Sequence, residues 1–429
     1  MSMFESALRN LREIANRRLF FQRMMSRYHI QDPEEMTKAR NRYQGFQVDI
    51  NDFAVEDHFQ AAVDDGELLQ RISRSYVLSK GEQPKYPDPY SVYGMWEQLL
   101  SSDYGEMTAA AAASDISGLN AVCSNIFRKR SRGLSMSGAT PDFRDAAACE
   151  LHINDYVDYL LHMSTYLNFP GPAMDMDSEG YIFTEKIKPQ ELWKAICKKA
   201  GTDAAYPAVG NPFGLKLDTE SGPSVVPQVA VRHLHAALRI RQLVAGQNHA
   251  CILEIGGGFG GIQYYVAKTV GKPFVIYSLD IPEINIISAY FLSRALPEVN
   301  VVLYGEEATG TQAKGQQPGG TIFILPNWKL KELAENSVDV AVNTDSLPEV
   351  PEAAMKEYLH SIARISKYFY SVNHDCGRGG QNRLSQLNPG DFGLRLESYN
   401  ISWIRHGYFE RVYSSINNVI AAPEESHIK

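Results

Sequence analysis

The chain has 429 residues, 44% hydrophobic and 21% charged, a globular composition long enough for more than one domain. Its formal net charge of −8 argues against a general nucleic-acid binder, which needs basic surface for phosphate contacts. Cys123, Cys149, Cys197, Cys251 and Cys376 are scattered and lack C-x-x-C spacing, so they read as reduced thiols and not as a disulfide frame or zinc site. No apolar stretch is long enough to span a bilayer and no leader-like apolar segment opens the chain, which gives a cytoplasmic protein as the expectation.

Met3 to Tyr28 is the first predicted helix, with Phe4, Leu8, Leu11 and Leu19 on one face and Arg9, Arg12, Arg17, Arg18 and Arg23 on the other. Glu5 and Glu13 favour packing on the chain's own body or on a second copy over a membrane surface, so a homo-oligomer through the N-terminal helices is one expectation. Gln83 to Tyr90 is a proline-rich extended connection. Helical patterns follow at Met95–Leu100, Thr108–Phe127 and Phe143–Leu167, the second helped by the alanine run Ala109–Ala113. Arg128 to Arg132 is a short basic cluster that reads as a solvated helix end or as a landing site for an anionic substrate. A short helix at Pro189–Lys199 lies between two Pro- and Gly-rich stretches, Phe169–Pro172 and Ala205–Pro227.

From Val225 the chain alternates helix and strand. The expected order is helix Gln228–Val244, strand Ala250–Ile255, helix Gly261–Val270, strand Phe274–Leu279 and helix Pro282–Leu296. A third strand is Val299–Tyr304 or Thr321–Leu325, a fourth Val338–Asn343, then helix Glu352–Ser366 and strand Tyr368–Val372. Two β-rich patches in the tail, Ile401–Trp403 and Phe409–Tyr413, suit an antiparallel edge. The pattern gives an α/β protein with a doubly wound, mostly parallel sheet. The boundaries read as a helical N-terminal domain over 1–200, acting as lid or oligomerisation element, a junction over 201–227 and a catalytic domain over 228–429.

The most informative stretch is Cys251 to Ile262, C-I-L-E-I-G-G-G-F-G-G-I, an apolar strand ending in a glycine turn that opens a helix. Glycines at such a turn admit positive φ and let backbone N–H groups approach a ligand. Asp280 ends the next strand, where its carboxylate can accept two hydrogen bonds from a ribose diol. Gly256, Gly258 and Gly261 fit the dinucleotide pattern G-x-G-x-x-G. Glu254, Gly256, Gly258 and Gly260 fit equally well the acidic-x-G-x-G-x-G pattern of S-adenosyl-L-methionine (SAM) methyltransferases.

Over about Pro223 to Ile420 the chain resembles the class I SAM-dependent methyltransferases, with Asp280-Ile-Pro-Glu283 similar to the turn after their second strand. Ser337 to Val350 and the Asn211-Pro-Phe-Gly214 segment are similar to the sugar O-methyltransferase family of bacterial glycan clusters. Leu347-Pro-Glu349 departs from that family's loop. The resemblance implies a Rossmann-like class I sheet with a large helical N-terminal extension, SAM as cofactor, and a small-molecule or glycan hydroxyl as acceptor. It implies cofactor contacts from Glu254, Gly256, Gly257, Gly258, Gly260, Asp280, Ile281, Asn343 and Thr344.

Methyl transfer to a hydroxyl needs in-line alignment and a general base. His374 and Asp375 follow the fifth strand, Asp345 follows the fourth, and His233 lies with His235 on the helix before the first; these are the candidate bases, with His406 behind them. A divalent metal held by Asp280, Asp345 and Asp375 is conceivable, but no ligand spacing supports it, so no metal site is expected. Trp328 and Trp403 are candidates for stacking on a sugar ring or for core packing. The rival readings are an NAD(P)-dependent oxidoreductase, for which no suitable Y-x-x-x-K follows the fourth strand, and a non-catalytic SAM-binding assembly module.

Overall fold

The computed structural model describes residues 53–54, 65–87, 90–128, 133–134, 156–157, 159–164, 166–168, 174–177, 180–183, 188–220, 222–306, 319–374, 384, 387–402 and 408–416. The helix expected at Met3–Tyr28, and with it the proposed oligomer contact, lies outside them, as do Asp375, Trp403, His406 and most of the basic cluster after Arg128.

An eight-stranded sheet organises the C-terminal half. Its strands are β6 (Ala250–Ile255), β7 (Phe274–Asp280), β8 (Asn300–Leu303), β9 (Thr321–Pro326), β10 (Val338–Thr344), β11 (Ser366–His374), β12 (Leu394–Ile401) and β13 (Tyr408–Ser415). They lie in the order β12-β13-β11-β10-β6-β7-β9-β8. All neighbours are parallel except β13, which runs antiparallel to both β11 and β12. This is the Rossmann-like class I methyltransferase arrangement; an all-parallel dinucleotide sheet has no reversed strand inserted at that edge. The two alternatives for a third strand are both strands, with β9 beside β7 and β8 at the rim.

Helices cover both faces. On one lie α6 (Val229–Leu243), α7 (Gly261–Thr269) and α8 (Pro282–Ala295); on the other lies α9 (Glu352–Ile365). Central strands buried on both faces read as continuous apolar runs, as Ile252 to Ile255 shows around its single acid, Glu254. Ile252 packs toward α6 to α8, and its neighbours Leu253 and Ile255 pack toward α9 with Leu359 and Phe369.

The N-terminal region contributes α1 (Gly66–Glu82), α2 (Met95–Ser102), α3 (Gly105–Ala112), α4 (Ile116–Cys123) and α5 (Pro189–Ala200). The helical pattern expected at Thr108–Phe127 is two helices. Ser114 takes a positive φ of 53° between them, and Asp115 restarts the chain by accepting the Gly118 N–H at 3.0 Å. A short antiparallel pair, β2 (Met174–Asp177) and β3 (Gly180–Phe183), precedes α5, and the glycine-rich stretch before the sheet holds a hairpin, β4 (Gly214–Thr219) and β5 (Gly222–Val226), with β1 (Phe53–Ala54) beside β4. Gly214 is required there, since a Cβ would lie 1.8 Å from the Val226 carbonyl oxygen.

One apolar core runs from Leu69, Leu119 and Trp193 through Ile252 to Phe291, across the 201–227 stretch without a break. The helix α1 lies on α8, and three ion pairs rim the contact: Lys80–Glu283 at 2.7 Å, Arg294–Asp65 at 2.8 Å and Arg71–Glu306 at 2.7 Å. Trp328 is fully buried and stacks on Tyr86 at 5.2 Å, so it packs the core and offers no face to a sugar. No helix among the described residues is long and apolar enough to cross a membrane. Leu69 is completely buried in the shared core. Leu69→Ala is expected to cost about 2–5 kcal/mol and to lower the melting midpoint of the whole chain as one calorimetric transition; a separate early transition would contradict a shared core.

Candidate functional site

The turn after β6 is shaped by glycine. Gly256, Gly258 and Gly260 take positive φ of 74°, 56° and 101°, a region that side chains disfavour. Gly257 and Gly261 are constrained by space: a Cβ on the first would lie 2.3 Å from Ser278 Oγ, and on the second 1.9 Å from His233 Nδ1. The conformational demand thus falls on the register Glu254, Gly256, Gly258, Gly260, and not on Gly256, Gly258, Gly261.

Asp280 ends β7 beside this turn. Its carboxylate accepts the Gly258 N–H at 2.8 Å and the Ile281 N–H at 2.7 Å. Burial pushes the Asp280 carboxyl up to about 7, against the pull of those two donors. Asn343, near the end of β10, is fully buried and joins three strand ends. It donates to the Ile255 carbonyl at 2.8 Å and to Ser346 Oγ at 2.5 Å, and accepts from Asn373 Nδ2 at 2.9 Å.

An open cleft runs along this carboxyl edge, where small-molecule sites of parallel α/β sheets commonly lie. Gly256, Gly258, Asp280, Ile281, Asn343 and Thr344 line it, as six of the nine expected cofactor contacts. Glu254, Gly257 and Gly260 do not. Glu254 is buried behind the turn, where burial, and then the Asp280 charge, hold its carboxyl well above the usual range. Gly260 abuts Leu292, where a Cβ would lie 2.6 Å from Cγ. Every charged side chain in the described lining is a carboxylate: Asp280, Asp345 and Glu349.

The opposite wall comes from the N-terminal region, for which a lid was one of two expectations, but the residues that form it were not anticipated from sequence. Tyr93, Trp96 and Leu134 line it, and Trp96 Nε1 donates to Glu349 Oε2 at 2.8 Å. The Asn327 amide holds the approach to this wall through the Tyr90 carbonyl at 3.3 Å. An aromatic pair three residues apart, just after a proline-rich connection, was the available signal. Nothing local ties it to a turn about 160 residues away.

A second, smaller cavity shares Thr344 and Asp345 with the first. Arg232, His233, His235, Tyr370, Ser402 and Tyr408 form much of the rest. Arg232 Nη2 donates to Asp345 Oδ2 at 2.6 Å. Asp345 holds a positive φ of 68°, and its N–H donates to the Val372 carbonyl at 3.1 Å, so its backbone is fixed by the β11 edge. Burial, then the Arg232 charge, push His233 down to about 3 against the opposing pull of Asp345. Burial pushes His235 down to about 4. Both imidazoles are neutral in the fold. His374 is buried at the end of β11, its ring edge-on to Tyr408 at 5.6 Å, so it stands behind a cavity wall and is not part of the lining. Among the described residues no group of three His, Cys, Asp or Glu side chains is placed to hold a metal ion.

No family model matches the chain, and no curated protein does. Among solved structures it is similar to a SAM-dependent methyltransferase from Aquifex aeolicus, at 14% identity and TM-score 0.28, over 44% of this chain and 93% of that one. It is also similar to the Burkholderia thailandensis 1,6-didemethyltoxoflavin-N1-methyltransferase, at 16% identity and TM-score 0.28, over 42% of this chain and 78% of that one. Likeness at this level says nothing of what the present chain binds.

The two histidines make the fold acid-sensitive. Their folded pKa values, about 3 and about 4, lie below the ordinary 6.5. At these two sites the unfolded chain binds protons first, so their contribution to stability is full above about 6.5 and falls as pH drops toward 4, while Asp280, raised to about 7, acts in the opposite sense over that range. His233→Gln is expected to make that acid limb shallower in denaturant titrations run at a series of pH values; an unchanged limb would contradict the burial of this imidazole.

Proposed function

We propose that the chain is a SAM-dependent O-methyltransferase acting on a sugar or glycan-type hydroxyl. The observation that carries this reading is the charge of the cleft: a glycine turn and the ribose-seeking Asp280 lie in a lining whose charged groups, among the described residues, are carboxylates. A cationic sulfonium suits such a lining, whereas a dinucleotide pyrophosphate finds no cationic side chain among its described residues. The register of positive φ on Gly256, Gly258 and Gly260, and the reversed strand β13, support the same reading.

When bound, SAM supplies an electrophilic methyl carbon. The chain's own part is to bind, align and move a proton. Asp280 spends two acceptor positions on backbone N–H groups, which leaves lone pairs for the two ribose hydroxyls, since a carboxylate offers about four such positions. Ile281 packs the adenine side, and Thr344 lies where the two cavities meet. The smaller cavity is the acceptor side. Its hydroxyls and rings, from Tyr370, Ser402 and Tyr408, suit a polyol with one polar edge and one apolar face.

Asp345 is the preferred base. It lines both cavities, and Arg232 and the β11 backbone fix its orientation. His233 is a weaker choice, because it lines only the smaller cavity, whereas Asp345 stands at the boundary of both. His374 would act only after Tyr408 gave way. Asp375 stays a candidate from sequence.

Calorimetric titration with S-adenosylhomocysteine and, separately, NADH tests the cofactor class. S-adenosylhomocysteine is expected to bind and Asp280→Ala to abolish binding; NADH binding instead would return the turn to the dinucleotide reading. With an acceptor in hand, Asp345→Asn is expected to lower kcat by about 10²–10⁴ while leaving S-adenosylhomocysteine affinity within a few-fold. A variant with undiminished turnover would move the base elsewhere.

A further inference from the structure

We propose that Trp96, with the Glu349 carboxylate behind its indole, is the element that recognises the positive charge of the cofactor. The inference rests on the methyltransferase reading and gives it a residue that lies outside the sheet, in the N-terminal region.

The sheet edge can hold the ends of the cofactor. Asp280 addresses the ribose, and the glycine turn with Asn343 and Thr344 lies along the remainder. A sulfonium has no hydrogen-bond donor or acceptor, so these polar contacts do not recognise its charge directly. What attracts such a cation is a π-face or nearby negative charge, and the facing wall brings both together. Tryptophan presents the strongest cation–π face among the side chains. Trp96 is half-buried in the cleft lining. Its N–H donates to Glu349 Oε2 at 2.8 Å, which pulls electron density onto the ring and deepens the negative potential of its face. Glu349 itself lines the cleft, on the turn that follows β10.

The indole is also held in place from behind. A Cβ on Gly133 would lie 2.7 Å from Trp96 Cη2, so a glycine is needed to let the ring lie there, and Gly133 takes a positive φ of 91° besides. Tyr104 flanks the ring at 6.4 Å with the planes 27° apart. A tryptophan serving only as core filling needs neither an acidic partner at the cleft nor a glycine cut out to admit it. Trp328, fully buried on Tyr86, is the contrasting case in the same fold.

SAM and S-adenosylhomocysteine differ by one methyl group and its positive charge, so their affinity ratio reads charge recognition apart from general binding. Both are titrated into the full chain and into Trp96→Leu, Trp96→Phe and Glu349→Gln. Trp96→Leu is expected to lose about tenfold more affinity for SAM than for S-adenosylhomocysteine, within the range of a desolvated cation–π contact. Trp96→Phe keeps a ring but loses the N–H, and Glu349→Gln keeps an acceptor but loses the charge; each is expected to shift the ratio the same way by a smaller factor. General loosening of the fold would weaken both ligands equally. If the ratio is unchanged across all three variants while the wild-type chain binds both ligands, the assignment to Trp96 is overturned and the cofactor reading stands. If the wild-type chain binds neither, the cofactor reading falls and this inference with it.

Discussion

Backbone crowding at the end of β6 is the constraint around which the carboxyl edge is built. At Gly256, Gly257, Gly260 and Gly261 the chain passes so near Ser346, Ser278, Leu292 and His233 that a side chain has nowhere to go, and the turn must also take positive φ at alternate residues. That leaves backbone N–H groups, one of which, Gly258, is already fastened to Asp280. The cleft exists because no side chain fills it at this point: a Cβ on Gly258 would meet nothing nearer than Leu134 at 4.0 Å.

Charge is then divided between two adjoining spaces. Among the described residues the larger carries acids, and the smaller contributes Arg232, which meets Asp345 at the boundary. An ion pair at a boundary is held by its surroundings more than by its own strength, since partly exposed pairs contribute little stability. Its value is directional. The guanidinium sets which way the carboxylate points, and the strained αL backbone of Asp345 fixes where it starts from. The neutral histidines beside it keep the smaller space from becoming strongly positive.

The sheet was legible because its signals are local. Apolar runs such as Ile252 to Ile255, the glycine turn and the strand-ending Asp280 all lie within about 30 residues of one another, and the periodicity of each element survives in the sequence. The boundaries of β6 were read without shift, and those of α6 to α8 to within a residue. The site was legible only in part. Alternation along β6 puts Glu254 on the face of Ile252, away from the cleft, although its motif suggested a direct contact. The N-terminal wall depends on Tyr93, Trp96 and Leu134 meeting a turn far along the chain, and such pairings leave no trace in spacing. The longest described N-terminal helix, α1, was missed altogether. Its apolar positions, Leu69, Ile72 and Tyr76, sit among Arg71, Ser73, Arg74 and Ser75 and give a muted stripe that only the docking onto α8 explains.

The helix α8 has almost no free surface. Residues from Pro282 to Leu292 are nearly all buried, between α1 on one side and the glycine turn, through Leu292, on the other. A rod clamped at both sides transmits displacement instead of absorbing it, because packed interiors do not compress. A ligand that repositions the turn therefore biases how firmly α1 is seated, and anything that seats α1 more firmly biases the turn by the same free energy in return.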